Sequence, residues 1–305
     1  IMNLTINTVA LAGLWLISSA AWAIHPYFYG EKVSGENTQA VSAIVEGKLK
    51  NAGFKVVGKY MPKKLPTHGV IIVTDDALLK DVGELGGHAI LGAAIRVGVK
   101  ADGTVSYTNP DYWHRAYFRK NFTQVEATTK SISDKLVRTL GKEGGFGGDE
   151  SASKLANYRY MVGMEKIDSS KNKLAAHASY AEAVKTVRDN LAKNPGHIAK
   201  VYEISLPDKK MAVFGVAMND DVLGDGKWIK TIEMEDSIAG LPYEIFVVDN
   251  EVQSLHGRFR IALAFPDVGM GQFMRISSLP KKIIETMTHV AGGKPEDSNT
   301  NAWQN

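Results

Sequence analysis

Val70–Leu79 reads VIIVTDDALL, and Val213–Leu223 reads VFGVAMNDDVL. Each is an apolar run of strand length that ends in a small polar residue, then Asp-Asp, then a small or branched residue and Leu. An unbroken apolar run of this kind is what a strand buried on both faces requires. The carboxylates follow where a helix would begin, and there they would meet free N–H groups and the positive end of the helix dipole. Asp75, Asp76, Asp220 and Asp221 are therefore read as helix-capping residues, although carboxylate pairs also suit acid–base chemistry or a metal.

The flanks of the two stretches repeat as well. Upstream of the first, PYFYGEKV has strand character, and TQAVSAIVEGKLKNAGF sets Val41, Ile44, Val45 and Leu49 on one helical face before KVVGKYM returns to a strand. Downstream, AAIRVGVKADGTVSYTNP predicts a hairpin turning at Ala101-Asp102-Gly103, and Asn121–Gly141 spaces apolar residues at helical intervals. The second stretch is framed alike. YRYMVGMEKI reads as its first strand. A helix opens at Ser179 with Glu182 three residues on, a capping box. IAKVYEISL and KMAVFGVAM are strands, PYEIFVV and RFRIALAFP a closing hairpin, and LPKKIIETMTHVAGG the last helix. The fold class expected is α+β: two tandem β-α-β-β-α-β-β-α sandwich domains related by internal duplication, over 24–141 and 157–291. The glycine-rich stretch 142–156 between them has linker composition, and 292–305 reads as a disordered tail.

These residues resemble the bacterial domain-of-unknown-function family 302. The resemblance is carried by the helix ending in NAGF before a strand, by GVIIVTDDALL, by IRVGVKADGTVSYTNPDY, and in the second copy by LPYEIFVVDN and NYRYMVGMEK. It covers most of the chain, once per copy, and it implies a compact α+β sandwich without implying an activity. The first copy lacks the Leu-Pro step, and the second carries insertions near Trp228 and His256.

Composition narrows the function. Over 305 residues the formal net charge is +3, with Lys and Arg scattered rather than blocked, so no nucleic-acid arm and no polybasic membrane patch is expected. Residues 1–23 end in an uncharged apolar run closed by Ala21-Trp22-Ala23, which reads as a secretory signal peptide. The protein is then exported, periplasmic or at the cell surface, with no membrane span after cleavage; an uncleaved anchor is the alternative. The chain has no cysteine, which excludes disulfides, a thiol nucleophile, cysteine-ligated metal and covalent haem. No phosphate loop, serine elbow or dinucleotide fingerprint occurs.

Candidate ligand-binding residues are Tyr158, Arg159, Tyr160, Met161 and Met164, which combine ring hydroxyls, thioethers and a guanidinium within a few positions. His25, Met161 and Met164 are the candidates for a soft metal. No cofactor is required by the sequence. The function expected is binding of an unidentified small ligand or an envelope protein partner, without catalysis. The alternatives are a redox accessory protein carrying copper or haem, and an acid–base enzyme using the paired aspartates.

Overall fold

The computed structural model describes residues 23–294, apart from 162, 194 and 195. The expected signal peptide, save its last residue, and the tail from residue 295 onward lie outside the described residues. Eleven strands form one open antiparallel sheet: β1 (Tyr27–Tyr29), β2 (Lys55–Tyr60), β3 (His68–Thr74), β4 (Ile95–Lys100), β5 (Val105–Thr108), β6 (Gly144–Phe146), β7 (Lys173–Ala176), β8 (Ile198–Leu206), β9 (Met211–Met218), β10 (Tyr243–Val248) and β11 (Glu251–Gln253). Their order is β6-β1-β5-β4-β3-β2-β8-β9-β10-β11-β7. The helices are α1 (Thr38–Asn51), α2 (Asp76–Leu85), α3 (Pro110–Phe118), α4 (Glu126–Leu140), α5 (Ala152–Ala156), α6 (Tyr180–Lys193), α7 (Asp225–Thr231), α8 (Gly257–Ala264), α9 (Met270–Met274) and α10 (Leu279–Ala291). The class is thus α+β. Where a sandwich is expected from each stretch, both stretches build a single sheet.

Outward from the β2–β8 joint the order is β2, β3, β4, β5, β1 and then β6 on one side, and β8, β9, β10, β11, β7 on the other. The two apolar runs of the opening quotation occupy β3 and β9, each second from the joint, and every residue of both strands is buried. Covering both faces is what so apolar a strand needs. On one face α1 packs on β3, and Val41, Val45 and Leu49 are its buried side; Ile44, expected on that side, is instead exposed.

The other face is covered by an exchange. The 3₁₀ segment Gly87–Ala93, which leads from α2 into β4, packs on β9 and β10. The 3₁₀ segment Glu235–Gly240, which leads into β10, packs on β3, β4 and β5. Each stretch thus roofs the strands of the other. His88 meets Phe246 edge-on, and Ile238 lies over Gly98, where an added Cβ would sit 2.6 Å away.

The joint between β2 and β8 is narrow. Its register holds Gly58 opposite Tyr202. A Cβ on Gly58 would stand 2.3 Å from the Val201 carbonyl oxygen, so only glycine lets the two backbones approach.

Several elements depart from the sequence expectation. The described residues of the span expected as a strand, 158–161 and 163–167, form none; the outer strand of this side is β7. RFRIALA is not the return of a hairpin but helix α8, and β10 turns back into the shorter β11. The hairpin of β4 and β5 is present, but Pro110 opens helix α3 directly after it. The helix expected over Asn121–Gly141 is α4, preceded by a 3₁₀ turn. The stretch read as a linker holds α5 and β6, and β6 pairs with β1. Among the described residues no helix is long and apolar enough to cross a membrane.

Gly58→Ala is expected to force β2 and β8 apart and to destabilise the protein by about 1–3 kcal/mol, the cost of overpacking against a backbone that cannot yield. Urea unfolding of the purified variant measures it; an unchanged midpoint would show that the joint does not depend on the close approach.

Candidate functional site

The two Asp-Asp pairs do not share a site. β3 and β8 both run antiparallel to β2, and β9 runs antiparallel to β8, so β3 and β9 point in opposite directions. Their carboxylates lie at opposite ends of the sheet. Asp75 is the N-cap of α2: Oδ1 accepts the Ala77 N–H at 2.9 Å and Oδ2 meets Lys135 Nζ at 2.5 Å. Burial pushes its carboxyl up, but the lysine and the backbone donor outweigh this and hold it below the usual range. Asp76 is exposed and pairs with Lys55. Asp220 accepts from the Val222 and Leu223 N–H groups, both at 2.8 Å. That closes a turn and caps no helix, because α7 begins later, at Asp225 with Gly224 as N-cap. Asp221 is exposed and pairs with Lys64 at 3.0 Å. Ser179 accepts from Glu182 N–H at 3.2 Å, while Glu182 reaches back to the Ala178 N–H at 3.2 Å.

The residues expected to bind ligand are parted. Tyr158, Arg159 and Tyr160 line a small pocket of about 140 Å³, together with Arg258, Phe265 and Phe273. Tyr158 is buried and packs edge-on against Phe259, whereas Tyr160 and Met161 are exposed. Met161 and Met164 do not line this pocket. His25 lies elsewhere, its Nδ1 at 2.7 Å from the Gly148 carbonyl. Among the described residues no group of three or more His, Cys, Asp or Glu is placed to hold a metal ion.

The most unusual chemistry lies under the exchanged 3₁₀ segments. Arg96 of β4, Glu244 of β10 and Arg260 of α8 are 1–2% exposed. Arg96 Nη1 donates to Glu244 Oε1 at 2.5 Å and Nε to the Ala239 carbonyl at 3.1 Å. Arg260 Nε donates to Glu244 Oε2 at 2.9 Å and Nη2 to the Gly240 carbonyl at 2.8 Å. Both guanidinium carbons lie 4.9 Å from the centre of the Trp113 ring. Burial works against the charge on both arginines, and the Glu244 carboxylate outweighs it, so both stay protonated. β4 and β10 are five strand steps apart, roughly 24 Å along a sheet at about 4.8 Å per step. For these side chains to touch, the sheet must curl around them.

Tyrosines surround the cluster. Tyr27, Tyr112 and Tyr243 donate their hydroxyls to the carbonyls of Ala264, Leu263 and Leu255. Among the described residues the buried hydroxyls of Tyr60, Tyr117 and Tyr202 donate to no acceptor, and those of Tyr117 and Tyr202 lie beside the Arg96 guanidinium, a donor. Burial pushes the Tyr117 hydroxyl up to about 12, even with Arg260 and Arg96 nearby.

Tyr117 also lines an open cleft of about 470 Å³. Its walls are the loop Gly86-Gly87-His88, the end of α3, and the segments around Ala156 and Asp168. Both glycines have left-handed φ, +72° and +56°. Arg119 does too, at φ +54° and ψ −127°, a conformation that costs a non-glycine residue on the order of 1–3 kcal/mol. Its guanidinium is held by Asp168 at 3.0 Å and by the Ala156 carbonyl at 3.4 Å. His88 Nε2 lies 3.1 Å from Gln253 Oε1, and burial lowers its pKa.

Sequence reasoning missed this region. Its signal was present: a lone Arg in IRVGVK, a lone Glu in YEIFVV and a second Arg in RFRIALA each interrupt an apolar run. No family model, no curated protein and no solved structure matches the chain.

Glu244→Gln leaves two buried guanidinium groups without a counter-charge and is expected to cost about 3–5 kcal/mol, read from chemical denaturation. Loss below about 1 kcal/mol would mean that water reaches the arginines. Asp75→Ala is expected to cost about 0.5–2 kcal/mol at pH 7. Because the native Asp75 carboxyl is held low, its contribution is present above the unfolded value of about 4 and is lost as the pH falls through the native value. The difference from wild type should therefore shrink in acid, and a pH-independent difference would remove the ionic part of the cap.

Proposed function

We propose that this chain is an exported, non-catalytic protein that binds a small ligand in the cleft beside Tyr117. It would be built from two copies of one β-α-β-β-α-β-β-α unit that share a sheet. The observation that carries the binding reading is the pairing of an open cleft with strained and fixed walls. Arg119 is held in an unfavourable backbone conformation by Asp168 and Ala156, and Gly86 and Gly87 leave open space where side chains would stand. Strain kept at a cleft wall is a mark of a preformed site. Apolar Leu85, Phe118 and Ile167 beside polar Asn121 and Asn157 give the mixed lining of small-molecule sites. The duplication reading draws on the matching strand order on the two sides of the β2–β8 joint.

Binding in place of acid–base catalysis is favoured by the separation of the aspartate pairs to opposite ends of the sheet. A partner-protein reading has no comparable support. The test is to purify the protein from its source organism, denature it and identify the released small molecules by mass spectrometry. Asn157 is exposed at the cleft, so Asn157→Trp should fill the cleft without disturbing the core. A ligand present on the wild type and reduced at least tenfold on folded Asn157→Trp is the expected result; equal retention on both would remove the cleft.

A further inference from the structure

We propose that the ligand is a small monoanion, and that its charged group docks against Arg96, Arg260, Tyr117 and Tyr202, behind the cleft wall to which Tyr117 belongs. The proposal rests on the cleft-binding reading and adds the ligand class.

The first argument is a charge count. Two guanidinium groups and one carboxylate lie together in the interior, so the cluster carries one unbalanced positive charge. The tyrosines around it are neutral, because burial holds their hydroxyls well above neutral pH. Asp225, another buried carboxyl, acts on Tyr60 but belongs to its own pair of donors, the Met218 N–H at 2.9 Å and Trp228 Nε1 at 3.4 Å. An uncompensated buried charge is costly, and proteins pair such charges.

The second argument is a count of donors and acceptors. Both oxygens of Glu244 and the carbonyls of Ala239 and Gly240 already accept from the two arginines. The groups left over are the hydroxyls of Tyr60, Tyr117 and Tyr202, all able to donate. They lie within electrostatic reach of Arg96 and Glu244. The hydroxyl oxygens of Tyr117 and Tyr202 can accept from Arg96, but the three O–H groups have no acceptor among the described residues, and the cluster has no second negative charge. Water supplies acceptors but brings two donors and no charge. A halide, a nitrate or a carboxylate supplies both and brings no donor.

The third argument is the route. Tyr117 faces the cluster with its hydroxyl and also lines the cleft. It lies in the last turn of α3, whose Trp113 lies against both guanidinium groups, two residues before the strained Arg119. The route proposed runs past the Tyr117 ring, so that an anion whose body rests on Leu85 and Phe118 brings its charged group inward when that ring turns aside.

The test is a titration of the full described chain in a buffer whose only other anion is a bulky sulfonate, at constant ionic strength. Chloride, nitrate, acetate and butyrate are added separately, with acetamide as the neutral analogue. Binding is read from the melting temperature, which a ligand of the native state raises saturably, and from calorimetry. One saturable site for monoanions and none for acetamide are expected. Tyr117→Phe and Tyr202→Phe should weaken binding at least fivefold. The same variants are melted in the anion-poor buffer, so that any stability lost with the contact to Arg96 is separated from loss of anion binding. Affinity rising from acetate to butyrate assigns an organic acid; chloride and nitrate binding without the longer acids assigns an inorganic ion.

Stabilisation that never saturates, that acetamide reproduces, or that the phenylalanine variants keep unchanged overturns the proposal. The two readings separate cleanly. Anion binding that persists in Asn157→Trp and falls in Tyr202→Phe keeps the cluster and removes the cleft as its entrance. A neutral compound lost from Asn157→Trp and indifferent to Tyr202→Phe keeps the cleft and overturns the monoanion.

Discussion

The contact on which the rest depends is that of Glu244 with Arg96 and Arg260. Arg96 and Glu244 are each the second residue of their strands, β4 and β10, and those strands stand at matching distances from the β2–β8 joint. Their hydrogen bond closes an arc of sheet that would otherwise lie open. A buried ion pair is a weak source of net stability, since desolvation offsets most of the attraction. It does fix geometry. Only one curvature brings the two side chains to 2.5 Å, and that curvature sets where the 3₁₀ segments, α3 and α8 can pack. Apolar burial supplies the driving force, and the charges select which compact arrangement forms.

The fold was legible where side-chain pattern and burial agree. β3 and β9 read as buried strands because every residue in them is buried, and the β4–β5 hairpin read correctly because Ala101-Asp102-Gly103 turns it. Pattern misled where a polar residue is buried. In RFRIALA the alternation of Arg258, Phe259, Arg260 and Ile261 imitates a half-exposed strand, yet Arg260 points inward to Glu244 and the segment is helical. Glycine-rich GGFGG imitates a linker because glycine carries no pattern. Gly145 is there for closeness: a Cβ on it would stand 2.2 Å from the His25 ring. In NYRYMVGMEK the aromatic residues suggested a strand, but Tyr158 alone is tucked against Phe259 while its neighbours face solvent.

The candidate site was less legible than the fold, and for a physical reason. The residues that matter come from β4, α3, β10 and α8, far apart in sequence, and what unites them is a curl of the sheet that no local periodicity records. The Asp-Asp pairs drew attention because they recur. Each follows the end of a fully buried strand, where free N–H groups need an acceptor, and the need is met differently: a helix cap at Asp75, a closed turn at Asp220.

The exchanged 3₁₀ segments also set a timetable. Arg96 meets the Ala239 carbonyl across 143 residues and Glu244 across 148. Synthesis at about 5–20 residues per second would leave β3, β4 and β5 without their cover for roughly seven to thirty seconds. During that interval one face of three apolar strands is open to any partner, and non-local closure is slow in its own right. A chain arranged in this way cannot complete its interior strand by strand; the first half waits for the second.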